Sequence, residues 1–538
     1  MSTKEFLTNI LGLPVTEERP GFLSASVPRE KFSEAIDELV NVRGLAAQMV
    51  STPAAPSGLV GVGLALAHLY ATDDRAAKKT FGVHAVLHDD TSHTWLLLST
   101  TLPEEDPTYP SVTRRVMAAH WYERWIRDMF GIEAIGHPDP RRLVHHENVP
   151  EGHFPLRKDF MWNAKMEQAD IPYPMHAVDG EGILEIPVGP IHAGIIEPSH
   201  FRFNVAGERI ITLESKLFFT HKGVEKLLEN KTASEAVPFV ERISGDAAVS
   251  HSLAFAQAVE TLAACEVSPR AHGLRTLLNE LERATMHIHD LANMGGLGTS
   301  YTVVAAHGFR IKERLMRLSD ELFGNRFWRG MVVPGGVARD VNANELQKIS
   351  IVVSEAIEEM LDVVALALQS DGLRDRLETT GVLRREAALA YGAVGVAARG
   401  SGVDRDVRRD HPYAAYDRFV PTISVKVTGD VYARFLLRAD ELKETKRLIQ
   451  EVCKSPGEGR HLVPCEPADG RALGAVEGWR GETLHMVYMK GGKIERHVVR
   501  DPSFCNWALF GEIAQGNIVP DFPLCNESLN LSCSGTDL

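Results

Sequence analysis

The sequence predicts an α+β fold: a small N-terminal α/β-sandwich-like module, then a large, mainly helical bundle domain with peripheral short strands. Three observations support this prediction. Strand-like apolar runs and amphipathic segments mix in the first part, residues 131–174 are proline-rich and aperiodic, and amphipathic helical segments dominate after Lys222. We therefore assign one domain to 1–162, a linker to 163–180 and a second domain to 181–538.

Composition excludes several classes of protein. The 538 residues are 44% hydrophobic and 24% charged, as in an ordinary soluble globular protein. The net charge of −14 argues against a nucleic-acid-binding surface, which needs a basic face. The longest apolar run, Gly58–Tyr70, is too short to span a bilayer, and the N-terminus lacks a secretory signal. Six sparse cysteines indicate free thiols in a reducing compartment, so we expect a cytoplasmic protein.

The first domain is predicted element by element. Apolar positions on one face of Pro28–Val42 indicate a helix. Two apolar runs, Phe81–Leu87 and Thr94–Leu102, flank a polar turn and indicate a β-hairpin. Ser111–Phe130 is amphipathic and predicts a second helix. The prolines after it exclude further helices and mark the linker.

The second domain begins with strands and becomes helical. Alternating patterns predict strands at Gly182–Pro187, His200–Val205 and Glu208–Phe219, and two more near the C-terminus at Thr483–Met489 and Lys493–Val499. Six helices are predicted between these strands: Gly223–Asn230, Ser234–Cys265, Arg270–Asn293, Tyr301–Phe323, Val341–Ser370 and Ala433–Cys453.

A search for known catalytic patterns yields little. No dinucleotide-binding, Walker or His-Glu-x-x-His motif is present. Asp246, Ser250 and His251 are a weak candidate for a nucleophile set, because closeness on one helix does not supply triad geometry. The histidine groups lack metal-ligand spacing and are better explained as solvated or core residues; they are His145-His146 and His192 with His200. Cys453 and Cys465 are interpreted as unpaired thiols.

Several longer sequence motifs in the second domain resemble those of a known protein family. The second domain contains Gly189-Pro190-Ile191-His192, Glu197-Pro198-Ser199-His200-Phe201-Arg202-Phe203, Phe218-Phe219-Thr220-His221-Lys222-Gly223-Val224-Glu225-Lys226, Arg399-Gly400-Ser401-Gly402 and Pro502-Ser503-Phe504-Cys505-Asn506. These phrases resemble the large subunit of membrane-bound, energy-converting nickel–iron hydrogenases of the formate hydrogenlyase and hydrogenase-4 component G type. They also resemble the homologous core subunit of respiratory complex I.

The first domain resembles the smaller peripheral-arm subunit of complex I. The phrases are Tyr122-Glu123-Arg124-Trp125, His137-Pro138-Asp139-Pro140-Arg141-Arg142-Leu143 and Pro155-Leu156-Arg157-Lys158-Asp159-Phe160. In formate hydrogenlyase that module is fused in front of the large subunit in the same order. The resemblance therefore covers nearly the whole chain.

The resemblance places the four nickel–iron cysteines at positions that lack cysteine here. Ser244 and Ala247 occupy the first pair, in Arg242-Ile243-Ser244-Gly245-Asp246-Ala247, and Ser532 and Gly535 occupy the second. Soft thiolates hold such metals, whereas alanine and glycine have no donor and a serine hydroxyl is hard and protonated. We therefore expect no metal site and no cofactor bound by this chain. Because no residues follow Leu538, we also expect no maturation cleavage of the hydrogenase kind.

The complex I resemblance implies a cavity for a quinone headgroup. The tyrosine position there is Gly245 in this chain, and the histidine-bearing loop is replaced by Gly194–His200, with His200 nearby. His251 is expected to line the same cavity. Quinone is thus an expected ligand of the cavity, while its reduction by a tyrosine–histidine pair is in question.

A charged set persists as candidate coupling residues: Arg242, Glu197, Asp406, Arg408 and His411. The resemblance places Arg242 near the terminal iron–sulfur cluster of a partner subunit, where positive charge raises the cluster potential. Glu225 and His221 match the entry strands, and buried carboxylates and histidines in series can relay protons. Two alternatives remain: Asp406 with Arg408 as an inherited ion pair, which is equally open, and Glu225 as a helix-dipole partner, which we favour over a relay role.

The resemblance implies a cytoplasmic-side oxidoreductase subunit on the inner face of the cell membrane. Its expected partners are an iron–sulfur small subunit and antiporter-like membrane subunits. It would couple electron transfer to ion translocation without a nickel–iron site of its own. No nicotinamide fingerprint is present, so any NAD link would run through other subunits. The alternative is a non-catalytic structural scaffold of such a complex, expected if bulky apolar side chains cover Gly245 and Ala247.

Overall fold

The structure is a computed structural model that describes residues 3–41, 64–161, 163–193 and 196–538. It contains two compact units, Met1–Pro174 with Ala390–Gly392, and Met175–Leu389 with Ala393–Leu538. Val42, at the end of the first predicted helix, and Gly194, at the start of the replaced loop, lie outside the described residues. The mixed α+β class predicted from the sequence is confirmed in both units.

The first unit is built on a five-stranded sheet with strand order β1-β2-β5-β4-β3. Its strands are β1 (Thr16–Arg19), β2 (Phe22–Ser26), β3 (Ala65–Asp73), β4 (Thr80–Asp89) and β5 (Thr94–Pro103), and a small pair adds β6 (Thr108–Pro110) and β7 (Glu133–Ile135). The helices are α1 (Thr3–Leu11), α2 (Phe32–Val40), α3 (Arg75–Lys78) and α4 (His120–Phe130). The predicted hairpin is confirmed: β4 and β5 pair antiparallel. Asp89 fixes its turn by accepting from the Thr91 amide at 3.0 Å.

The prediction of one helix over Ser111–Phe130 is wrong in its first half. Only His120–Phe130 is α-helical, after a short 3-10 turn at Met117–Ala119. The buried Glu123 carboxylate accepts hydrogen bonds from the Ser111 hydroxyl at 2.6 Å and the Val112 amide at 2.7 Å. The carboxylate thus satisfies backbone and hydroxyl donors in a non-helical segment, so amphipathic spacing there does not produce a helix.

The second unit is a helical assembly around a large apolar core. Its helices are α5 (Val224–Leu227), α6 (Ala233–Val240), α7 (Ala248–Ala263), α8 (Pro269–Ala292), α9 (Thr302–Phe323), α10 (Ala343–Ala367), α11 (Asp371–Leu377), α12 (Arg385–Ala390), α13 (Gly395–Gly400), α14 (Val407–Asp410), α15 (Val431–Lys454), α16 (Pro502–Trp507), α17 (Phe510–Ala514), α18 (Phe522–Leu529) and α19 (Cys533–Asp537). The central helices α8, α9, α10 and α15 pack on one another. Ser268 and Asn342 cap the starts of α8 and α10 through their side chains.

The single helix predicted over Ser234–Cys265 is also wrong, because the chain breaks between α6 and α7. Pro238 lies inside α6, and the Arg242 amide donates to the Phe239 carbonyl in a tight turn. The segment 241–247 therefore leaves the helical path before α7 begins at Ala248. This break contains Ser244 and Ala247, the first pair of the four positions at which the resemblance places metal-binding cysteines. These four positions are called the ancestral ligand positions below.

Three sheets accompany the helices of this unit. One contains β8 (Ile183–Val188), β9 (His200–Ala206) and β10 (Arg209–Lys216), and a two-stranded ribbon contains β11 (Val332–Val333) and β12 (Gly336–Val337). The third contains β13 (Gly470–Glu477), β14 (Glu482–Lys490) and β15 (Lys493–Arg500), all antiparallel, and packs on α7. Among the helices that the structure describes, none is long and apolar enough to cross a bilayer.

Candidate functional site

Ser244 and Ser532, one from each pair of ancestral ligand positions, lie in contact although nearly 300 residues separate them along the chain. The Ser244 hydroxyl lies 3.1 Å from the Ser532 hydroxyl. Ser532 caps α19, and its oxygen accepts from the Gly535 amide at 2.9 Å. Ala247 instead packs under Trp479 and Met286 in a small apolar cluster. The serine at position 532 thus has a structural task, because it satisfies a free amide at a helix start.

An arginine–aspartate pair lies beside these hydroxyls. Arg480 Nη1 and Nη2 donate to the two Asp246 carboxylate oxygens at 2.7 Å and 2.8 Å, and Nη1 also lies 3.2 Å from the Ser244 hydroxyl. Although burial would raise the pKa of Asp246, the Arg480 charge outweighs it and lowers that pKa to about 2. Asp246 is therefore ionised at neutral pH, and a guanidinium supplies the local positive charge.

A second carboxylate takes up the space beside Gly535. A Cβ built on Gly535 would lie 2.5 Å from Asp501 Oδ2 and 2.6 Å from Asp501 Cγ. Asp501 is buried, and its oxygens accept from the Ser503 amide at 2.7 Å and from His251 Nε2 at 3.0 Å. A side chain at position 535 would therefore collide with a carboxylate that is fixed in place.

A polar cavity of about 340 Å³ opens next to this group. Its lining includes the predicted residues Glu197, Gly245 and Ser532, and it also includes Asp246, His289, Asn293, Arg480, Asn526, Glu527 and Asn530. Trp507 and Leu531 add apolar surface. Gly245 is not covered by an apolar side chain; its carbonyl accepts from Arg329 Nη2 at 3.0 Å. The cavity thus remains open and polar at Gly245, while Ala247 is covered.

Burial raises the pKa of two carboxyl groups at the cavity. Burial and the nearby Asp290 raise the pKa of Glu527 to about 7, against a hydrogen bond from Asn293. Burial also raises the pKa of Glu197, which accepts from the Cys533 and Ser534 amides at 2.5 Å and 3.2 Å. With a pKa of about 7, Glu527 changes charge near neutral pH.

Asp537 ties the C-terminal helix α19 to the segment 218–220. Asp537 accepts from the Phe218 amide at 2.9 Å and from the Thr220 hydroxyl at 2.7 Å. Burial raises the pKa of Asp537 to about 6. His221 Nδ1 lies 2.5 Å from the Asp537 carbonyl oxygen, so the predicted His221 holds the C-terminal helix rather than facing the cavity lining.

Arg242 and His200 do not line the cavity. Arg242 is exposed, and its Nη1 donates to the Pro238 carbonyl at 2.5 Å. His200 is half-buried at the start of β9, with Nδ1 3.2 Å from the Gly189 carbonyl oxygen. His251, predicted to line the same cavity, is fully buried and does not line it either. An exposed Arg242 is compatible with contact to a partner but takes no part in the cavity itself.

Asp406 and Arg408 lie in a separate buried charge network. Arg408 donates to both Asp406 oxygens at 2.9 Å and 2.7 Å and to Glu280 at 3.0 Å. The network continues through Arg283, His287, Arg399, Glu441 and Glu477. Burial and the nearby Asp406 raise the pKa of Glu477 to about 7, against the pull of Arg399. His411 is buried just after α14, where its amide donates to the Val407 carbonyl at 3.0 Å.

The residues of the weaker sequence hypotheses, namely the nucleophile set, Glu225, His192 and the cysteines, make structural contacts. Ser250 donates to Glu282 at 2.5 Å rather than to His251, so no nucleophile set forms. Glu225 is buried; it accepts from the Val499 amide at 3.0 Å and forms an ion pair with Arg496 at 3.0 Å. His192 Nε2 lies 2.7 Å from the Ser199 carbonyl oxygen. None of the six cysteines, all of which lie within the described residues, forms a disulfide bond.

Sequence reasoning missed the residues that dominate the site: Arg480, Asp501, Glu527, His289 and His485. Asp501 carried a local signal, since an aspartate directly before Pro502 at a helix start is a typical N-cap, and its side chain caps α16. Arg480, Glu527 and the histidines carry no local pattern. They meet only because α8, α18 and the β13–β15 sheet converge there.

Comparisons with known proteins agree with this organisation. The family model described as respiratory-chain NADH dehydrogenase, 30 Kd subunit, matches residues 61–166, and that of the 49 Kd subunit matches residues 298–466. Hydrogenase-4 component G of Escherichia coli is 31% identical over 480 residues, which cover 87% of this chain and 83% of that protein. Formate hydrogenlyase subunit 5 of Escherichia coli is 32% identical over 494 residues, covering 88% and 84%.

A fused NADH-quinone oxidoreductase protein of Aquifex aeolicus, its C/D 2 subunit, is 28% identical over 483 residues, which cover 78% of this chain and 82% of that protein. The matches to all three proteins extend over most of the chain, and the two family models fall in the same order as the two modules. The chain therefore belongs to the family of fused 30 kDa- and 49 kDa-type subunits that includes hydrogenase-4 component G and formate hydrogenlyase subunit 5.

Proposed function

We propose that the chain is a subunit of a membrane-bound complex related to complex I and hydrogenase-4. In it, electrons arriving at a partner's iron–sulfur cluster are coupled to proton uptake in the 340 Å³ cavity. The chain has no nickel–iron site of its own. The observation that carries the proposal is the position of Glu527, with its raised pKa, in a polar cavity bordered by Ser532 and Gly245.

The donor chemistry supports the absence of nickel and iron. Two hydroxyls, one methyl group and one hydrogen stand at the four ligand positions, and none is a soft donor. Arg480 already places a positive charge against Asp246 and Ser244. Cys533 adjoins Ser532, but burial raises the pKa of its thiol above its usual range, which disfavours the thiolate that a metal needs. The residues present do not fit a nickel–iron centre.

The proton-coupling role follows from electrostatics. An electron that arrives near the cavity adds negative charge, and this raises the proton affinity of nearby carboxyl groups. Glu527 has a pKa of about 7, so a small added potential converts it from partly to fully protonated. Asp406, Arg408 and Glu477 form a second buried set in which the same response would follow. Arg242, exposed on the surface, is the residue we assign to a partner's cluster.

The proposed partners are an iron–sulfur small subunit and antiporter-like membrane subunits, which hold the chain at the inner face of the membrane. Quinone is a candidate electron acceptor in the cavity. Gly245 supplies no phenol there, so a protonated Glu527 or His289 would have to donate to a headgroup oxygen. NADH would act only through other subunits.

The test uses the whole complex, purified through a tag on this chain from gently solubilised membranes. Its iron–sulfur centres are reduced chemically while a pH indicator follows proton uptake. We expect uptake that falls by about half or more in Glu527→Gln, because the amide accepts no proton. The matched control is Glu208→Gln, an exposed carboxylate in the β9–β10 turn. Equal uptake in wild type and Glu527→Gln would remove the cavity from the mechanism.

A scaffold without catalytic function is the second candidate, and one observation favours it. Ala247 is covered by Trp479 and Met286, as expected if the old cavity had been partly filled. In this case the complex would assemble with this chain but take up no protons at Glu527. Loss of assembly in a deletion strain, together with full electron transfer in Glu527→Gln and Asp406→Asn, would support the scaffold.

A further inference from the structure

Three buried histidines and one carboxylate form a continuous hydrogen-bonded chain beside the cavity. His251 Nε2 lies 3.0 Å from Asp501 Oδ2, and His251 Nδ1 lies 2.9 Å from His485 Nε2. His485 Nδ1 lies 2.8 Å from His497 Nε2. All four side chains are at most 1% exposed. The chain runs from Asp501 at the start of α16 to His251 on α7, then to His485 on β14 and His497 on β15.

The carboxylate fixes the hydrogen positions along this chain. Asp501 accepts from the Ser503 amide as well as from His251, and these bonds lower its pKa against the effect of burial. Because an ionised carboxylate only accepts, His251 Nε2 must carry a hydrogen. In a neutral ring Nδ1 is then an acceptor, so His485 Nε2 donates to His251, and His497 Nε2 donates to His485.

This assignment leaves one acceptor at the far end. His497 Nδ1 is buried and has no hydrogen-bond partner among the residues that the structure describes. Burial first, and the adjacent Arg496 second, lower the pKa of His497 to about 3, so the ring is neutral at rest. A buried unpaired acceptor is unfavourable, and an aromatic ring without nitrogen would avoid that penalty. Packing alone therefore does not explain a histidine at position 497.

We propose that His497, His485 and His251 form a relay that loads one proton onto the His251–Asp501 pair. A proton from water binds His497 Nδ1, and the Nε2 proton of that ring passes to His485 Nδ1. The Nε2 proton of His485 then passes to His251 Nδ1 and stays there, so the His251–Asp501 pair holds one proton more. His497 and His485 each give up one proton for the one that they receive, His251 keeps the proton that it receives, and the net charge of the group rises by one.

The group can take up only one proton before it must reset. After one transfer His497 and His485 carry their hydrogen on Nδ1 and His251 carries one on each nitrogen, so a second proton cannot follow until the first returns or the rings turn. Phe255 packs against both His485 and His497, with ring centroids 6.5 Å and 5.3 Å away, and opposes such rotation. The relay therefore stores one proton per cycle next to Arg480 and Gly535. This role rests on the proposed function, in which electron arrival provides the driving force.

His485→Gln is the decisive variant. A glutamine amide can donate to His251 and accept from His497, so it keeps both hydrogen bonds but cannot transmit a proton. His485→Phe removes both bonds. In the intact complex, rapid reduction should be followed by proton uptake with a kinetic phase that belongs to the relay. We expect the rate of that phase to fall at least tenfold in both variants. A glutamine variant with wild-type uptake beside an impaired phenylalanine variant would overturn the relay and leave a positioning role.

A second measurement separates this inference from the proposed function. Solid-state nitrogen NMR of the histidine-labelled complex, with signals assigned by single variants, reports which ring nitrogen carries hydrogen. We expect Nε2-protonated, neutral rings at all three positions in the resting state, whether or not the cavity takes up protons. Nδ1-protonated His485 or His497 at rest would overturn the relay. Uptake that is unchanged in Glu527→Gln but still loses its histidine phase in His485→Gln would count against the cavity proposal alone.

Discussion

Gly535→Ala should destabilise the second unit because the added methyl group meets Asp501. The Cβ would lie 2.5 Å from Asp501 Oδ2, so the carboxylate would have to move by about 0.9 Å to reach ordinary contact of roughly 3.4 Å. Asp501 is held by His251 and by the Ser503 amide, and so resists that movement. Overpacking of this kind costs about 1–3 kcal/mol. Better helix propensity of alanine in α19 returns up to about 1 kcal/mol, which leaves a net loss of about 0–3 kcal/mol.

The assay is equilibrium urea unfolding followed by the fluorescence of buried tryptophans, among them Trp479 and Trp507 in this unit. Repeating it in an Asp501→Ala background removes the colliding group. There, Gly535→Ala should be neutral or slightly stabilising, a coupling of about 1–3 kcal/mol. Asp501→Asn is the matched control, because it keeps the shape of the side chain and should keep the loss. An equal loss in the Asp501→Ala and wild-type backgrounds would refute the steric reasoning.

Three further predictions concern the same unit. Arg480→Gln should lower the free energy of unfolding by about 1.5–3 kcal/mol, since it removes the hydrogen-bonded partner of the half-buried Asp246 carboxylate, and Asp246→Asn in that background should recover part of the loss; urea unfolding measures both. Thr232→Ala removes the capping box of α6 and should cost about 1 kcal/mol, with Ser234→Ala as the milder comparison. Because folding raises the pKa of Glu527 to about 7, its stabilising contribution is complete below pH 4.5 and is lost as pH rises through 7. The stability of Glu527→Gln relative to wild type should therefore increase across that range in pH-dependent melting curves, and a constant difference would contradict the assignment.

Local patterns predicted the long elements well because those signals lie within the elements themselves. The apolar stripes of α8, α9, α10 and α15 and the β4–β5 hairpin need no distant partner to be recognised. The two overextended helices failed for the opposite reason. Glu123 satisfies donors at Ser111 and Val112 in a non-helical segment, and the turn at Arg242 ends α6 early. Tertiary hydrogen bonds of this kind override amphipathic spacing.

The candidate site was predictable only through the resemblance. It brought Ser244 and Ser532 to one place, and the 3.1 Å separation of their hydroxyls agrees with that placement. It also grouped Asp406 with the cavity, whereas Asp406 lies in a separate buried network. Arg480 and Glu527 were not predicted, because the sequence around an isolated charged residue at a strand end or on a helix does not show which residues lie next to it in the fold.

The most direct test of the central claim is the metal content of the complex purified through this chain. If the cavity works without nickel and iron of its own, mass spectrometry should find iron from partner clusters and less than about a tenth of a nickel atom per chain. That threshold is set well below one because a built site binds its metal stoichiometrically. Nickel approaching one atom per chain, retained through gel filtration, would contradict the account, and it would mean that Ser244, Ser532 and their neighbours hold a metal after all.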